Sequence, residues 1–199
     1  MLHDRERAAI DGLWTVKISQ DARDLPQAQR CRNLEPESAE FICALAAGCH
    51  ATSLLEVGGS SGISTIALAA AARQTNGRLV SIEIEPARQA ESKRTLSDLD
   101  LADRVDYVLA DAGDVLDRYV DLQFVLIDCE KDDYARFFDR LRLAPGAVVV
   151  ADNILSHDLR DYVRHVRAVP GVRSITLPIG KGLEVSRVDV PPTRSAGPA

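Results

Sequence analysis

Short apolar runs alternate with segments of helical periodicity along most of the chain. Because these runs are continuous rather than alternating, they predict strands of a parallel sheet that helices cover on both faces. The predicted strands are residues 53–57, 78–83, 104–110, 123–128, 147–152 and 174–179. Between the last two, Leu159, Tyr162, Val163 and Val166 form an apolar stripe at helical spacing. The pattern therefore predicts strands connected by amphipathic helices.

The two ends of the chain show different patterns. In residues 36–50 the apolar side chains recur at helical spacing behind Pro36, which suits a first helical turn. Near the other end, residues 183–188 form a further apolar run, separated from the run at 174–179 by a short glycine-containing turn. Two runs joined in this way predict an antiparallel hairpin at the edge of the sheet.

Together these patterns predict an α/β fold: a Rossmann-like, doubly wound, mostly parallel sheet with a C-terminal antiparallel hairpin. The length of 199 residues suits one domain, which we assign to residues 1–188. Within it, residues 1–50 form a helical segment that contributes to the cover of the substrate and cofactor site. Residues 189–199 are rich in proline and small residues and predict a flexible tail.

Composition narrows the classes of protein to consider. The net charge of −6 argues against a nucleic-acid partner, whose binding surface is usually basic. The sequence has no apolar run of membrane-spanning length, and its start is charged from the third residue, so we expect a cytoplasmic protein without a membrane partner. The four cysteines form no CxxC pair, which favours reduced thiols.

A glycine-rich turn, EVGGSSG, follows the first predicted strand and begins with Glu56. Such a turn lets the backbone approach a ligand closely, but alone it also fits a dinucleotide site. No tyrosine has a lysine four residues later, as short-chain dehydrogenases require. An anionic Glu56 suits a cationic ligand such as S-adenosylmethionine rather than a pyrophosphate. We expect Glu83 to accept hydrogen bonds from ribose hydroxyls and Asp111 to receive the adenine amino group.

A second set of polar residues follows the fourth and fifth strands. Asp128 and the pair Asp152 and Asn153 end strands that should be neighbours, so three oxygen ligands could converge on one cation. Mg²⁺ suits these ligands best, and Mn²⁺ and Ca²⁺ have the same oxygen preference. The alternative is that Asp152 and Asn153 cap a following helix. Lys131 lies three residues after Asp128, at the spacing of one helical turn, and is a candidate base.

The segments LLEVGGSSGISTIALA, SIEIEP, FVLIDCEKDDY and VVVADNILSH resemble motifs of the metal-dependent O-methyltransferases that include catechol and caffeoyl-CoA O-methyltransferases. The resemblance spans roughly residues 34–188 and implies a seven-stranded methyltransferase fold. It implies metal ligation by Asp128, Asp152 and Asn153, with Lys131 as the catalytic lysine. Together the turn and the resemblance predict the following cofactor-binding residues: Glu56, Gly58, Gly59, Ser60, Ser64, Glu83, Asp111, Ala112 and Asp128.

The expected activity is methyl transfer from S-adenosylmethionine to a hydroxyl of a small catechol-like or phenolic acceptor, assisted by a divalent cation. Two alternatives remain at this point: a methyltransferase of the same fold that acts on nitrogen or another acceptor without metal, and a nonenzymatic cofactor-binding protein. The resemblance also admits a homodimer. The chain departs from the family at Cys129, where alanine is common, and at Lys181, where an acidic residue often lies between the two glycines.

Overall fold

The computed structural model describes residues 1–23 and 30–189, and its strands form one seven-stranded sheet in the order β3-β2-β1-β4-β5-β7-β6. The strands are β1 (Ser53–Val57), β2 (Arg78–Glu83), β3 (Val105–Leu109), β4 (Leu122–Ile127), β5 (Leu143–Ala151), β6 (Val172–Leu177) and β7 (Leu183–Val188). The helices are α1 (Asp4–Ala22), α2 (Pro36–Gly48), α3 (Ile63–Thr75), α4 (Pro86–Asp98), α5 (Ala112–Val115), α6 (Tyr134–Arg140) and α7 (Arg160–Ala168).

The five strands from β1 to β5 pair in parallel, and β7 pairs antiparallel with both β5 and β6. This confirms the predicted doubly wound sheet with its C-terminal hairpin. β5 begins at Leu143, earlier than the predicted 147, because its pairing with β4 continues past a register shift. The order of the strands reverses between β1 and β4, the place where ligands bind in open sheets of this kind.

Both faces of the sheet are buried, which explains the continuous apolar runs of its strands. Successive residues of β1 enter different cores: Leu54 packs with α1, α2 and α3, whereas Leu55 packs with α5, α6 and α7. The run Ala67–Ala72 in α3 is fully buried, since small side chains let this helix lie close to the sheet and to α2.

The predicted stripe on α7 is confirmed: Leu159, Tyr162 and Val166 are buried, and Val163 packs beside them. In residues 1–23 and 30–189, no helix is long and apolar enough to cross a membrane. Apart from Asp189, the tail predicted at residues 189–199 lies outside the described residues. The single-domain boundaries stay a prediction.

Candidate active site

A cavity of about 590 Å³ opens at the carboxyl edge of the sheet, where the strand order reverses. The residues that follow β1, β2, β3, β4 and β5 all contribute to its wall, as do α1, the segment before α2 and the loop between β6 and β7. The parallel strands explain this convergence, because their carboxyl ends lie at one edge of the sheet. Predicted site residues on the wall are Gly58, Ser60, Glu83, Asp111, Ala112, Asp128, Lys131 and Asn153.

The glycine turn packs tightly against the end of β4. Gly58 has a φ of +94°, a left-handed conformation that favours glycine, and its amide donates to the carbonyl of Ile82 at 2.9 Å. A Cβ atom at this position would collide with the backbone carbonyl of Asp128. Because Gly58 has no side chain, the turn that follows β1 can pack directly against the backbone at the end of β4.

Replacing Gly58 by alanine is expected to lower the free energy of unfolding by about 1–3 kcal/mol, the usual cost of strained backbone, and to weaken S-adenosylhomocysteine binding more than tenfold. Urea unfolding and calorimetric titration measure the two effects. Gly12→Ala is the matched control, because a Cβ there meets nothing within 4 Å and alanine favours the α1 helix. Equal binding by the Gly58 and Gly12 variants would contradict the role of Gly58.

Two of the predicted acids are held on the wall by backbone amides. Glu83 Oε2 accepts from the amide of Ser60 at 2.7 Å, and its Oε1 accepts from the amides of Ile84 and Glu85. Asp111 is the N-cap of α5, and its Oδ1 accepts from the amide of Gly113 at 2.7 Å. Each carboxylate keeps acceptor capacity for a ligand, and the amides fix its orientation.

Four predicted site residues, Glu56, Gly59, Ser64 and Asp152, do not line the cavity. The first three lie beneath its wall, and Asp152 is buried at the end of β5. Glu56 is fully buried, because side chains alternate along β1 and this one points towards α3. Its Oε1 accepts from Thr65 Oγ1 at 2.5 Å and Ser81 Oγ at 2.6 Å, whereas Oε2 has no hydrogen-bond partner. The predicted direct contact of Glu56 with the cofactor's cationic group therefore does not match its position. Glu56 instead lies beneath the glycine turn and supports it.

Burial raises the pKa of Glu56 against the opposing hydrogen bonds from Ser81 and Thr65. An acid whose folded-state pKa is raised costs stability increasingly as the pH rises above its unfolded pKa, near 4.5. Glu56→Gln removes that cost, so we expect the stability of this variant relative to wild type to increase between pH 4.5 and pH 7.5. Urea midpoints at several pH values test this, with the exposed Glu37→Gln as control. Parallel pH profiles for wild type and Glu56→Gln would refute the assignment.

Lys131 lies at the other end of the cavity and contacts a predicted metal ligand. Its Nζ is 3.2 Å from Asp128 Oδ1 and donates to Tyr134 Oη at 2.7 Å. The segment 131–133 is a 3₁₀ turn rather than the start of an α-helix, but the predicted proximity of Lys131 to Asp128 is confirmed. Tyr134 is fully buried and donates to the backbone carbonyl of Asp152 at 3.3 Å, so it holds the ammonium between the ends of β4 and β5.

Asp152 and Asn153 follow β5, next to Asp128 at the end of β4. The backbone shows this adjacency directly, because the amide of Asp152 donates to the carbonyl of Ile127 at 3.1 Å. The helix-capping alternative is wrong: turns follow Asn153, and α7 begins only at Arg160. Asn153 has a left-handed φ of +66°, a conformation that asparagine adopts more readily than most other non-glycine residues.

Arg32 and Asn33, which precede α2, contact the glycine turn, and the sequence did not reveal these contacts. The amide of Arg32 donates to Ser60 Oγ at 3.0 Å, and Asn33 Nδ2 donates to Ser61 Oγ at 2.8 Å. The guanidinium of Arg32 also pairs with Glu130. No local pattern could signal these contacts, because the paired residues are 28 and 98 positions apart.

Cys129 lies on the cavity wall beside Asp128. Burial, together with the negative charge of Asp128, raises the pKa of its thiol to about 12. A thiol that stays protonated is a poor nucleophile, so Cys129 acts here as a small, weakly polar wall residue. The four cysteines are all free.

Comparisons with known proteins agree with this geometry. A family model described as "Protein of unknown function (DUF1442)" matches residues 13–197. Catechol O-methyltransferase of Niastella koreensis is 30% identical over 161 residues, which cover 77% of this chain and 72% of that protein. Catechol O-methyltransferase of Mycobacterium tuberculosis is 33% identical over 147 residues, covering 72% of this chain and 64% of that protein.

A solved structure shows the same fold. The O-methyltransferase of Bacillus cereus in complex with SAH superposes with a TM-score of 0.76 at 22% identity, covering 91% of this chain and 90% of that one. The seven-stranded sheet thus has the Rossmann-like fold of the class I methyltransferases. The chain belongs to the DUF1442 family and, through its catechol O-methyltransferase relatives, to the S-adenosylmethionine-dependent O-methyltransferases.

Proposed function

We propose that this protein transfers a methyl group from S-adenosylmethionine to a hydroxyl of a small catechol-like or phenolic acceptor, with a divalent cation at the end of β4 and β5. One observation carries the proposal: a single cavity is lined by Lys131, Asp128 and Asn153 where β4 and β5 end. The same cavity is lined by Glu83 and Asp111 where β2 and β3 end, and the glycine turn lies between the two sets. A base and oxygen ligands beside a cofactor site are what methylation of an activated hydroxyl requires.

The cofactor end matches the chemistry of S-adenosylmethionine. Glu83 and Asp111 supply acceptors for hydroxyl and amino groups, and Ile82, Ile84, Ala112 and Phe137 add apolar surface for an adenine ring. We assign the predicted cofactor contacts on the wall to direct binding. Glu56, Gly59 and Ser64 shape the turn from beneath it.

The residues at the other end fit a divalent cation. Asp152 Oδ1 is buried and has no hydrogen-bond partner, whereas Oδ2 accepts a hydrogen bond from the side-chain amide of Asn153. Burial, followed by the negative charge of Asp128, raises the pKa of Asp152 to about 8, as expected of two neighbouring carboxylates. Within residues 1–23 and 30–189 no three His, Cys, Asp or Glu side chains cluster at a metal-like spacing. The proposed third ligand is the amide oxygen of Asn153, which suits Mg²⁺.

The chain's own residues then have the following tasks. Asp128, Asp152 and Asn153 hold the cation, which when bound supplies Lewis-acid stabilisation of negative charge on the acceptor oxygens. Lys131 acts in its neutral amine form: Nζ accepts the proton of the attacking hydroxyl and becomes the ammonium that pairs with Asp128, while Tyr134 keeps Nζ at this position. The acceptor oxygen forms its bond to the methyl carbon as the carbon–sulfur bond breaks, which leaves S-adenosylhomocysteine. The glycine turn and Glu83 contribute by holding the two reactants in line.

The test combines binding and turnover. S-adenosylhomocysteine is titrated into the protein by calorimetry, and catechol is then titrated with and without Mg²⁺. Methylated products are measured by mass spectrometry for catechol, caffeate and amine acceptors. We expect diol binding and methylation that require both cofactor and metal.

The remaining outcomes discriminate the alternatives. Methylation of amines without metal would identify a same-fold methyltransferase with another acceptor. Cofactor binding without turnover of any acceptor would favour a nonenzymatic role. A small phenolic molecule is the partner that we propose, and the homodimer stays a prediction.

A further inference from the structure

The loop between β6 and β7 presents one lysine to the cavity from between two glycines. Gly180 and Gly182 both have left-handed φ values, +54° and +91°. A Cβ atom at Gly180 would lie 2.8 Å from Glu35 Oε2, and one at Gly182 would lie 2.8 Å from the amide of Leu155. A side chain at either position would have to displace these neighbours, so the loop lies close to them, and Lys181 is the residue of this loop that lines the cavity.

The backbone of this loop is fixed to the segment that follows the proposed metal ligands. The amide of Leu155 donates to the carbonyl of Lys181 at 2.9 Å, and the amide of Ile154 donates to the carbonyl of Gly182 at 3.0 Å. Since Ile154 directly follows Asn153, Lys181 has a set position relative to the acceptor end of the cavity. Asn153 and Lys181 both line the cavity there.

The ammonium of Lys181 is also held in place. Its Nζ is 2.8 Å from Glu35 Oε1, and the Glu35 side chain is only 8% exposed, whereas that of Lys181 is 41% exposed. Partial burial would lower the pKa of Lys181, but Glu35, with the more distant Asp152 and Asp128, outweighs it and raises that pKa. The ammonium therefore stays charged at neutral pH and within electrostatic reach of the proposed metal ligands.

The two members of this ion pair face different surroundings. Lys181 lines the cavity, and Glu35 lies behind it and does not. A lysine has three N–H donors, and pairing with the single carboxylate of Glu35 does not occupy all of them, so donors remain for a ligand. Lys181 would therefore repel an acceptor that carries an ammonium group and attract an acceptor that carries a carboxylate.

We infer that Lys181 selects acceptors that carry an anionic group, so that the substrate class is a small dihydroxylated aromatic acid rather than a neutral or amine-bearing catechol. The inference rests on the proposed function, because the diol has to bind at the end of β4 and β5 for its acidic substituent to meet Lys181. Lys181 is then a specificity-determining residue and takes no part in the proton transfer.

The test measures binding and turnover of three matched diols: 3,4-dihydroxybenzoate, catechol and dopamine. Each is titrated calorimetrically into the protein loaded with S-adenosylhomocysteine and Mg²⁺, and kcat/KM is measured with S-adenosylmethionine. For wild type we expect the acid to bind about tenfold more tightly than catechol, the size of one charge-assisted hydrogen bond. Lys181→Met should remove this preference, Lys181→Arg should retain it, and Lys181→Glu should favour dopamine.

Lys93→Met is the matched control, because Lys93 is exposed on α4 and does not line the cavity. It should keep the wild-type preference. Equal affinity of wild type for the acid and catechol, or a preference that survives in Lys181→Met, would overturn the inference while the proposed function stands. If wild type binds S-adenosylhomocysteine but none of the three diols, the proposed function fails, and the inference fails with it.

Discussion

Lys131→Met is expected to lower kcat for a diol acceptor by about 10²–10⁴-fold, the usual contribution of a positioned general base. Methionine keeps much of the length and apolar stem of lysine but has no basic nitrogen. The side chain of Lys131 is only 16% exposed and its Nζ contacts Asp128 and Tyr134, so the substitution removes a held group rather than a mobile surface charge. Steady-state kinetics at saturating acceptor and cofactor measure the loss.

The affinity for S-adenosylhomocysteine should fall much less than kcat in this variant, because Glu83 and Asp111, which we assign to the cofactor, follow β2 and β3, away from Lys131. Lys93→Met is again the control, since it removes an exposed lysine that packs over the ring of Tyr107, away from the cavity. A Lys131→Met enzyme with wild-type kcat would exclude Lys131 as the base. Tyr134→Phe should give a smaller loss in kcat, since it removes one hydrogen-bond partner of Lys131 Nζ and leaves the basic nitrogen in place.

Removing the divalent cation is the second change for which we expect a large effect. Chelation should lower methyl transfer to diols on the order of 10³-fold, the rate equivalent of several kcal/mol of charge stabilisation, and added Mg²⁺ should restore it. Asp152→Ala should show the same low activity with or without Mg²⁺, because chelator and mutation remove the same interaction. Calorimetric titration with Mn²⁺ measures metal binding itself and does not depend on turnover.

Asp158→Ala is the matched control for Asp152→Ala. Asp158 is 68% exposed, pairs with Arg160 and does not line the cavity, so its removal should change neither metal binding nor turnover. Activity of wild type that resists chelation, together with an active Asp152→Ala enzyme, would exclude the metal and favour a metal-independent methyltransferase of the same fold.

Part of the candidate site could be predicted from local sequence patterns. Strand ends could be located from apolar runs, and parallel pairing required their carboxyl ends to meet, so the convergence of Gly58, Glu83, Asp111 and Asp128 was predictable. The proximity of Lys131 to Asp128 followed from a separation of three residues. The wrong alternative, a helix cap at Asp152, arose because an Asp-Asn pair favours turns and helix starts equally well.

Other parts of the site depend on contacts between distant positions. Glu56 was assigned to the cofactor from its place in the turn, but its burial depends on Thr65 and Ser81, which lie on other elements. The crossing of Arg32 and Asn33 over the turn, and the pairing of Lys181 with Glu35, join segments that have no local relation. Each depends on how elements pack, which residue spacing does not encode.

The glycine turn illustrates both halves of the result. By itself the sequence determined that a backbone without side chains follows β1 and that acids and a lysine follow the neighbouring strands, because periodicity and strand ends are local properties. Only the tertiary structure decided which of these groups face the cavity, because alternate residues of one strand face opposite cores. It also decided that Lys181 faces the cavity while Glu35 stays behind it, since that arrangement depends on the packing of the hairpin loop against α2.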